Sequence, residues 1–327
     1  MNVLSLFDGM SCGQIALERA GIKVDSYYAS EIKEDAIKVT NYNYPATIQL
    51  GDVTRIKGSE LPNIDLLIGG SPCQDLSIAN SKQEGLKGEK SKLFYEYVRV
   101  LKEVKPKHFL LENVARMKKV DKEIITEILG VEPIRINSSL VSAQLRDRLY
   151  WTNIPNVTQP DDKNITLIDI IENGYVDREK SRCILESESR PLSNKENMTH
   201  RYYNIGFTTV VFKDKELSEY AKSRVKERLM GKKGITYNWF NDVIRDEKSG
   251  TLLAGSAGWS GKGTSLVIQD NDIRYFTQTE LERLQTVPEG YTKILSRNKA
   301  AGVLGDGWTV DVIAHIFNGL KGGNNND

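Results

Sequence analysis

Cysteine is scarce. The chain has three, Cys12, Cys73 and Cys183, with no CxxC pair and an odd count. That argues against a disulfide framework or a structural zinc site and makes a reducing compartment the expectation. Histidine is equally rare, and His108, His200 and His315 are scattered, so a metal-dependent enzyme is disfavoured. No apolar run approaches the ~18 residues of a membrane span. The opening "MNVLSLFDG" has no basic region followed by a long apolar segment, so no signal peptide and a cytoplasmic location are expected. The net charge is only +1. Bulk charge therefore announces no polyanionic partner, and any nucleic-acid surface must be a local patch.

What is present is a globular composition, 39% hydrophobic and 27% charged, in 327 residues. This is enough for one large domain or two ordinary ones. The first half alternates two periodicities. Strand-like runs at 2–7, 24–32, 46–53, 64–70 and 108–114 are separated by helical patterns at 12–21, 33–42, 92–104 and 121–129. Runs at 133–141 and 148–154 read as a final strand pair. Such alternation predicts right-handed crossovers, a mostly parallel sheet and an α/β fold. Ligands then bind beyond the carboxyl ends of the strands. Those ends carry Asp8-Gly9, Glu31, Asp52, Pro72-Cys73 and Glu112-Asn113, which places five polar or glycine positions on one rim.

The loop "FDGMSCG" (7–13) joins the first strand to the first helix. Its glycines admit a ligand to the backbone, and the helix start offers free amides. It is not GxGxxG, so a dinucleotide is not the obvious guest. Glu31 is placed for ribose hydroxyls and Asp52 for an adenine amino group, and together with the loop they describe an adenosine site. Cys73 follows Pro72, which stiffens the turn. A nucleophilic role needs the thiolate and a nearby cation or helix start, for which Arg146 and Arg148 in "QLRDR" are candidates. Glu112 in "LLENV" is the candidate proton donor. Taken alone, Cys73 also reads as an inert buried thiol.

From 155 to 272 the pattern turns irregular and polar. The stretch "KSRVKERLMGKK" (222–233) carries six basic residues and one acidic, with Tyr202, Tyr203, Phe207, Tyr237, Trp239, Phe240 and Trp259 around it. Basic residues among aromatics suit phosphate contact and base stacking, or simply a solvated helix face with core aromatics. Regular pattern returns with "TQTELERLQT" (277–286), where Thr277 and Glu280 form a capping box, and with the apolar helix 308–320.

"GGSPCQDLS", "LLENV" and "QLRDR", after "FDGMSCG" and before "LERLQTVP" and "LGDGWTVDVI", resemble the ordered motifs of the cytosine-5 DNA methyltransferases. "SLFDG" and "GGSPCQDLSIAN" look most like the animal de novo group, but the chain lacks chromatin-reading domains, which favours a bacterial or phage member. The resemblance implies a Rossmann-like S-adenosylmethionine-dependent methyltransferase sheet with a smaller, irregular target-recognition domain. The expected boundaries are 1–154 for the catalytic and cofactor-binding domain, 155–272 for target recognition, 273–320 for a return to the catalytic domain, and 321–327 for a disordered tail.

By the same resemblance, the cofactor is held by Phe7, Asp8, Gly9, Gly13, Glu31, Ile32, Asp52, Val53, Pro72, Leu93, Asp306, Gly307 and Trp308. Cys73 adds to carbon 6 of a flipped cytosine, Glu112 contacts ring nitrogen 3, and Arg148 binds the base oxygen with Arg146 and Gln144 in support. Gln74, Ser77, Asn113, Lys222, Arg224, Lys226, Arg228 and Thr251 are the other implied substrate contacts. Residues 74–91 resemble the loop that closes on DNA. Asp306 and Trp308 depart from most bacterial members, which have Asn and a small or β-branched residue there. The implied partners are duplex DNA and a cognate restriction endonuclease, with no membrane and no metal; oligomeric state is not legible. A catalytically dead DNA-binding relative is expected to lose the thiol, the acid or the glycines, all present here. A tRNA enzyme is expected to show a Cys-Phe-Thr signature, which is absent.

Overall fold

The computed structural model describes residues 1–72, 86, 88, 92–176, 178–183, 209–212, 265–266, 273–274 and 276–324. The chain forms two compact units: residues 1–137, 147–160 and 307–327, and residues 138–146 and 161–306. This division differs from the boundaries expected from sequence. Residues 138–146 leave the N-terminal part, and 276–306 group with the second unit rather than the first.

The first unit is built on a seven-stranded sheet. Its strands are β1 (Asn2–Leu6), β2 (Ser26–Ser30), β3 (Ile48–Gln49), β4 (Leu66–Gly70), β5 (His108–Val114), β6 (Ile134–Asn137) and β8 (Asp147–Thr152). The order is β3-β2-β1-β4-β5-β8-β6. Strands β1 to β5 pair parallel, and β8 runs antiparallel to both its neighbours. The near-continuous apolar runs of β1, β4 and β5 suit strands buried on both faces.

Side chains one residue out of phase serve opposite faces. Leu4, Leu6, Leu67, Phe109 and Leu111 share a core with Phe94 and Tyr97 of α3 (Leu93–Val104) and with Ile125 and Leu129 of α4 (Lys119–Leu129). Ile68 points the other way, to within 2.5 Å of where a side chain would start on Gly13 of α1 (Cys12–Arg19). The last apolar helix of this unit, Val310–Phe317, packs on α1, and Arg19 and Asp311 close that contact at 2.6 Å. The second helix, α2 (Glu34–Asn43), follows β2. The result is a doubly wound, Rossmann-like sheet. Its chain leaves β1 toward β2 on one side and returns across β1 to β4, which makes the β1/β4 edge the topological switch point.

In the second unit, the described elements are β7 (Gln144–Leu145), α5 (Leu167–Ile170), β9 (Tyr175–Val176), β10 (Ser181–Arg182), β11 (Thr209–Phe212), β12 (Ser265–Leu266), β13 (Ile273–Arg274), α6 (Gln278–Leu284) and α7 (Arg297–Asp306). The helix Val310–Phe317 is α8. The expected capping box of α6 is found: Thr277 N–H donates to Glu280 Oε2 at 2.8 Å and Glu280 N–H to Thr277 Oγ1 at 3.2 Å. The 3₁₀ run Asn318–Asn324 takes in the first residues of the expected tail. No helix among the described residues is long and apolar enough to cross a membrane.

Candidate functional site

Parallel pairing of β1 to β5 puts their carboxyl ends on one edge of the first unit. Leu6 is opposite Ser30 and Gly69, and Gly70 is opposite Glu112. At the end of β1 the backbone turns through left-handed conformations at Phe7, Gly9 and Ser11, with φ of 58°, 60° and 62°. Phe7 and Ser11 adopt these angles without being glycine, at a cost of about 1–2 kcal/mol each. Local bonds hold them there: Asp8 N–H donates to Ser30 O at 3.0 Å and Ser11 N–H to Asp8 O at 3.2 Å. A side chain on Gly9 would meet nothing within 4 Å, so the turn faces open space.

Asp8 is tied by its Oδ1 to the Tyr27 hydroxyl at 2.8 Å and by its Oδ2 to the Ser11 hydroxyl. Burial pushes its carboxyl up to about 6, against the pull of the Ser11, Ser5 and Tyr27 hydrogen bonds, and the charge of Glu31 raises it further. Glu31 closes the loop from the next strand. Its Oε2 accepts from Gly9 N–H at 2.8 Å, and its Oε1 from the N–H groups of Ile32 and Lys33 at 2.7 and 2.8 Å. A carboxylate has about four acceptor positions, so Oε2 keeps one open. Beside it, Ile32 is 72% exposed, an apolar surface with nothing over it. Asp52 caps the turn at 53–55 through one oxygen, which takes Thr54 N–H and Oγ1, both at 2.9 Å. These bonds hold its carboxyl below the usual range. Val53 is buried in the core, Leu93 and Pro72 are half-buried, and Gly13 is packed under Tyr27 and Ile68.

Along the same edge lies a buried ion pair. Glu112 and Arg148 are each 8% exposed. Arg148 Nε sits 2.7 Å from Glu112 Oε1, and Trp308 Nε1 donates to Glu112 Oε2 at 3.1 Å. The neighbouring strand end is pinned as well. Buried Asn113 donates from Nδ2 to both the carbonyl and the hydroxyl of Ser71, each at 3.2 Å. Gly70 is required by close approach: a side chain there would start 2.9 Å from both Glu112 Oε2 and Trp308 Nε1.

A family model described as C-5 cytosine-specific DNA methylase matches residues 1–322. The chain belongs to that family. The type II methyltransferase M1.ScrFI of Lactococcus lactis subsp. cremoris is 28% identical over 326 residues, 96% of this chain and 76% of the relative. The orphan methyltransferase M.SPRI of Bacillus phage SPR is 35% identical over 166 residues, 47% of this chain and 38% of that protein. The chain spans about half or less of the length of its phage relatives. Among solved structures, a mutant of Spodoptera frugiperda DNMT2 matches with a TM-score of 0.62 at 16% identity, covering 98% of this chain and 99% of the other. That likeness bears on the fold.

Within this C-5 cytosine methylase chain, the expected residues are placed unevenly. Phe7, Asp8, Gly9, Glu31, Ile32 and Asp52 come together on the edge of the first unit, and so do Glu112, Asn113 and Arg148. The second unit holds Arg146 and Gln144. Buried Arg146 donates from Nη1 to Cys183 Sγ at 3.0 Å and to Gly305 O at 3.2 Å. Gln144 donates to Leu284 O and Gln285 Oε1 at 3.2 and 3.3 Å. Asp306 ends α7 and is exposed, while Gly307 is buried. Cys73, Gln74, Ser77, Lys222, Arg224, Lys226, Arg228 and Thr251, with most of 74–91, lie outside the described residues. Sequence reasoning missed Ser11 and Tyr27 as the holders of Asp8, Gly70 as the space for Glu112, and Lys180. The Lys180 ammonium donates to the carbonyls of Ser139 and Ser142 at 2.9 and 3.1 Å and to that of Ile165, which secures the segment bearing Gln144 and Arg146. The doubled glycine of "IGGSPC" was the available signal for Gly70; a lysine in an irregular stretch gives none.

Proposed function

We propose that this chain transfers a methyl group from S-adenosylmethionine to carbon 5 of a cytosine flipped out of duplex DNA. The observation that carries the reading is the buried Glu112–Arg148 pair, set beside the strand end that leads into Pro72-Cys73, in a member of the C-5 cytosine methylase family. Stacking blocks the ring faces of a cytosine in a duplex, so the base must leave the helix to react. Cys73, as thiolate, adds to carbon 6. Glu112 meets ring nitrogen 3 and Arg148 the base oxygen, so the electron pair displaced from the 5,6 double bond is delocalised onto a ring held by both. The pair returns through carbon 5, where the methyl group would bond as its bond to the cofactor's sulfur breaks, leaving S-adenosylhomocysteine. Loss of the carbon 5 proton then restores the double bond and expels Cys73.

The residues present fit the cofactor. The open turn at Gly9, the free acceptor position of Glu31 and the bare Ile32 suit a ribose with an adenine against an aliphatic surface, and Asp52 has a second oxygen for the adenine amino group. S-adenosylmethionine, when bound, supplies an electrophilic methyl group. Phe7 and Asp8 orient it at the switch point. Gln144 and Arg146 act in support of Arg148, and Lys222, Arg224, Lys226 and Arg228 contact phosphate. The Lactococcus relative's type II name supports a cognate endonuclease as partner.

Bisulfite sequencing of DNA from cells expressing the protein tests the reading. Protected cytosines in one fixed context are expected. Unprotected DNA alongside new 5-methylcytosine in tRNA would assign the chemistry to the other substrate.

A further inference from the structure

We propose that Trp308 is a positioning residue for Glu112, rather than only a wall of the cofactor pocket. The proposal rests on the methyl-transfer reading above. A carboxylate gripped through one oxygen keeps a soft, broad terminal torsion. Arg148 grips Oε1, and the Trp308 indole takes Oε2, so the carboxylate plane is held from both sides. The indole N–H is a donor only. It can fix that oxygen without competing with it for a proton on the substrate.

Three chain segments are shaped around this contact. Trp308 lies 196 residues from Glu112 in sequence and sits in the junction between α7 and α8. Gly70 supplies the space, since a methyl group there would press on the indole nitrogen and the carboxylate oxygen together, at 2.9 Å from each. On the other side, the bare Cα of Gly13 faces the indole ring, with 3.8 Å from a Cβ position to Cζ3. A phenylalanine at 308 keeps an aromatic ring there but cannot donate.

The test compares wild type with Trp308→Phe in three measurements on the full chain. These are the dissociation constant for S-adenosylhomocysteine by equilibrium dialysis, kcat and KM for DNA methylation, and release of tritium from carbon 5 of cytosine in DNA without cofactor. The last reads addition at carbon 6 on its own. For a positioning role, kcat and cofactor-free exchange fall together by about tenfold, the order expected for one hydrogen bond to a charged group. The dissociation constant changes by a smaller factor than kcat and exchange do, KM for DNA moves less than about twofold, and circular dichroism is unchanged. Gly70→Ala, which crowds the pair while keeping the indole, gives the same pattern and covers the case in which the Phe variant misfolds. Wild-type exchange in Trp308→Phe, or a defect confined to cofactor affinity, overturns the assignment. A wild-type protein inactive in both assays overturns the methyl-transfer reading and this proposal with it, which is a distinct result.

Discussion

Arg148 reaches Glu112 diagonally across an antiparallel ladder. Glu112 is directly opposite Tyr150 and Arg148 opposite Val114, yet the guanidinium Nε and Oε1 lie 2.7 Å apart. Both groups are buried, so removing one strands a charge. Arg148→Ala is expected to cost about 3–5 kcal/mol of stability. Glu112→Ala with Arg148→Ala is expected to cost less than the sum of the singles. Urea denaturation of the four proteins in a cycle measures this, and additive losses would show that the pair does not act as a unit.

Asp8 predicts a pH signature. Its carboxyl, raised to about 6 chiefly by burial, holds its proton more tightly in the folded protein than in the unfolded chain. The associated stability is complete below about pH 4 and is lost as the pH rises through about 6, to a total of at most about 3 kcal/mol. Asp8→Asn lacks this dependence. The stability difference, wild type minus variant, is therefore expected to fall between pH 4 and pH 7; a difference that stays level excludes a raised Asp8. S-adenosylmethionine carries positive charge and favours the ionised carboxylate, so its affinity should rise over the same range in wild type and stay level in the variant.

The nucleophile can be trapped. DNA with 5-fluorocytosine at the target site is expected to form a covalent complex, because the fluorine cannot leave as the proton does. Peptide mapping should place the adduct on Cys73. Cys12 and Cys183 are 2% and 6% exposed, so an adduct on either would refute the assignment. Cys73→Ser should bind cofactor and transfer nothing.

The basic stretch can be tested by its salt dependence. Replacing Lys222, Arg224, Lys226 and Arg228 with glutamine is expected to weaken DNA binding and flatten the slope of log affinity against log salt by about one unit per lost phosphate contact. An unchanged slope returns the stretch to an ordinary solvated face.

The sheet was legible because burial on both faces leaves long apolar runs: the expected strands at 64–70 and 108–114 begin and end within two residues of β4 and β5. The expected strand at 46–53 shrank to Ile48–Gln49, because Asp52 caps a 3₁₀ turn that ends the extended backbone. Glu31 and Asp52 could be picked out because strand ends on one rim follow from parallel pairing. The partners of Glu112 could not. Its bond to Trp308 spans 196 residues, and no local pattern encodes it. Nor could the inward turn of Gln144 and Arg146 be read, since it depends on α6, α7 and Cys183, all more than thirty residues away.

The contact between α1 and α8 has a consequence for the order of events at the ribosome. Arg19 and Asp311 are 292 residues apart, and the apolar face of α1 is covered by a helix that is translated near the end of the sequence given. That side of α1, although encoded early, stays uncovered for most of synthesis. A nascent chain stalled before Val310 would present that side as a sticky surface, a natural point of engagement for chaperones and proteases.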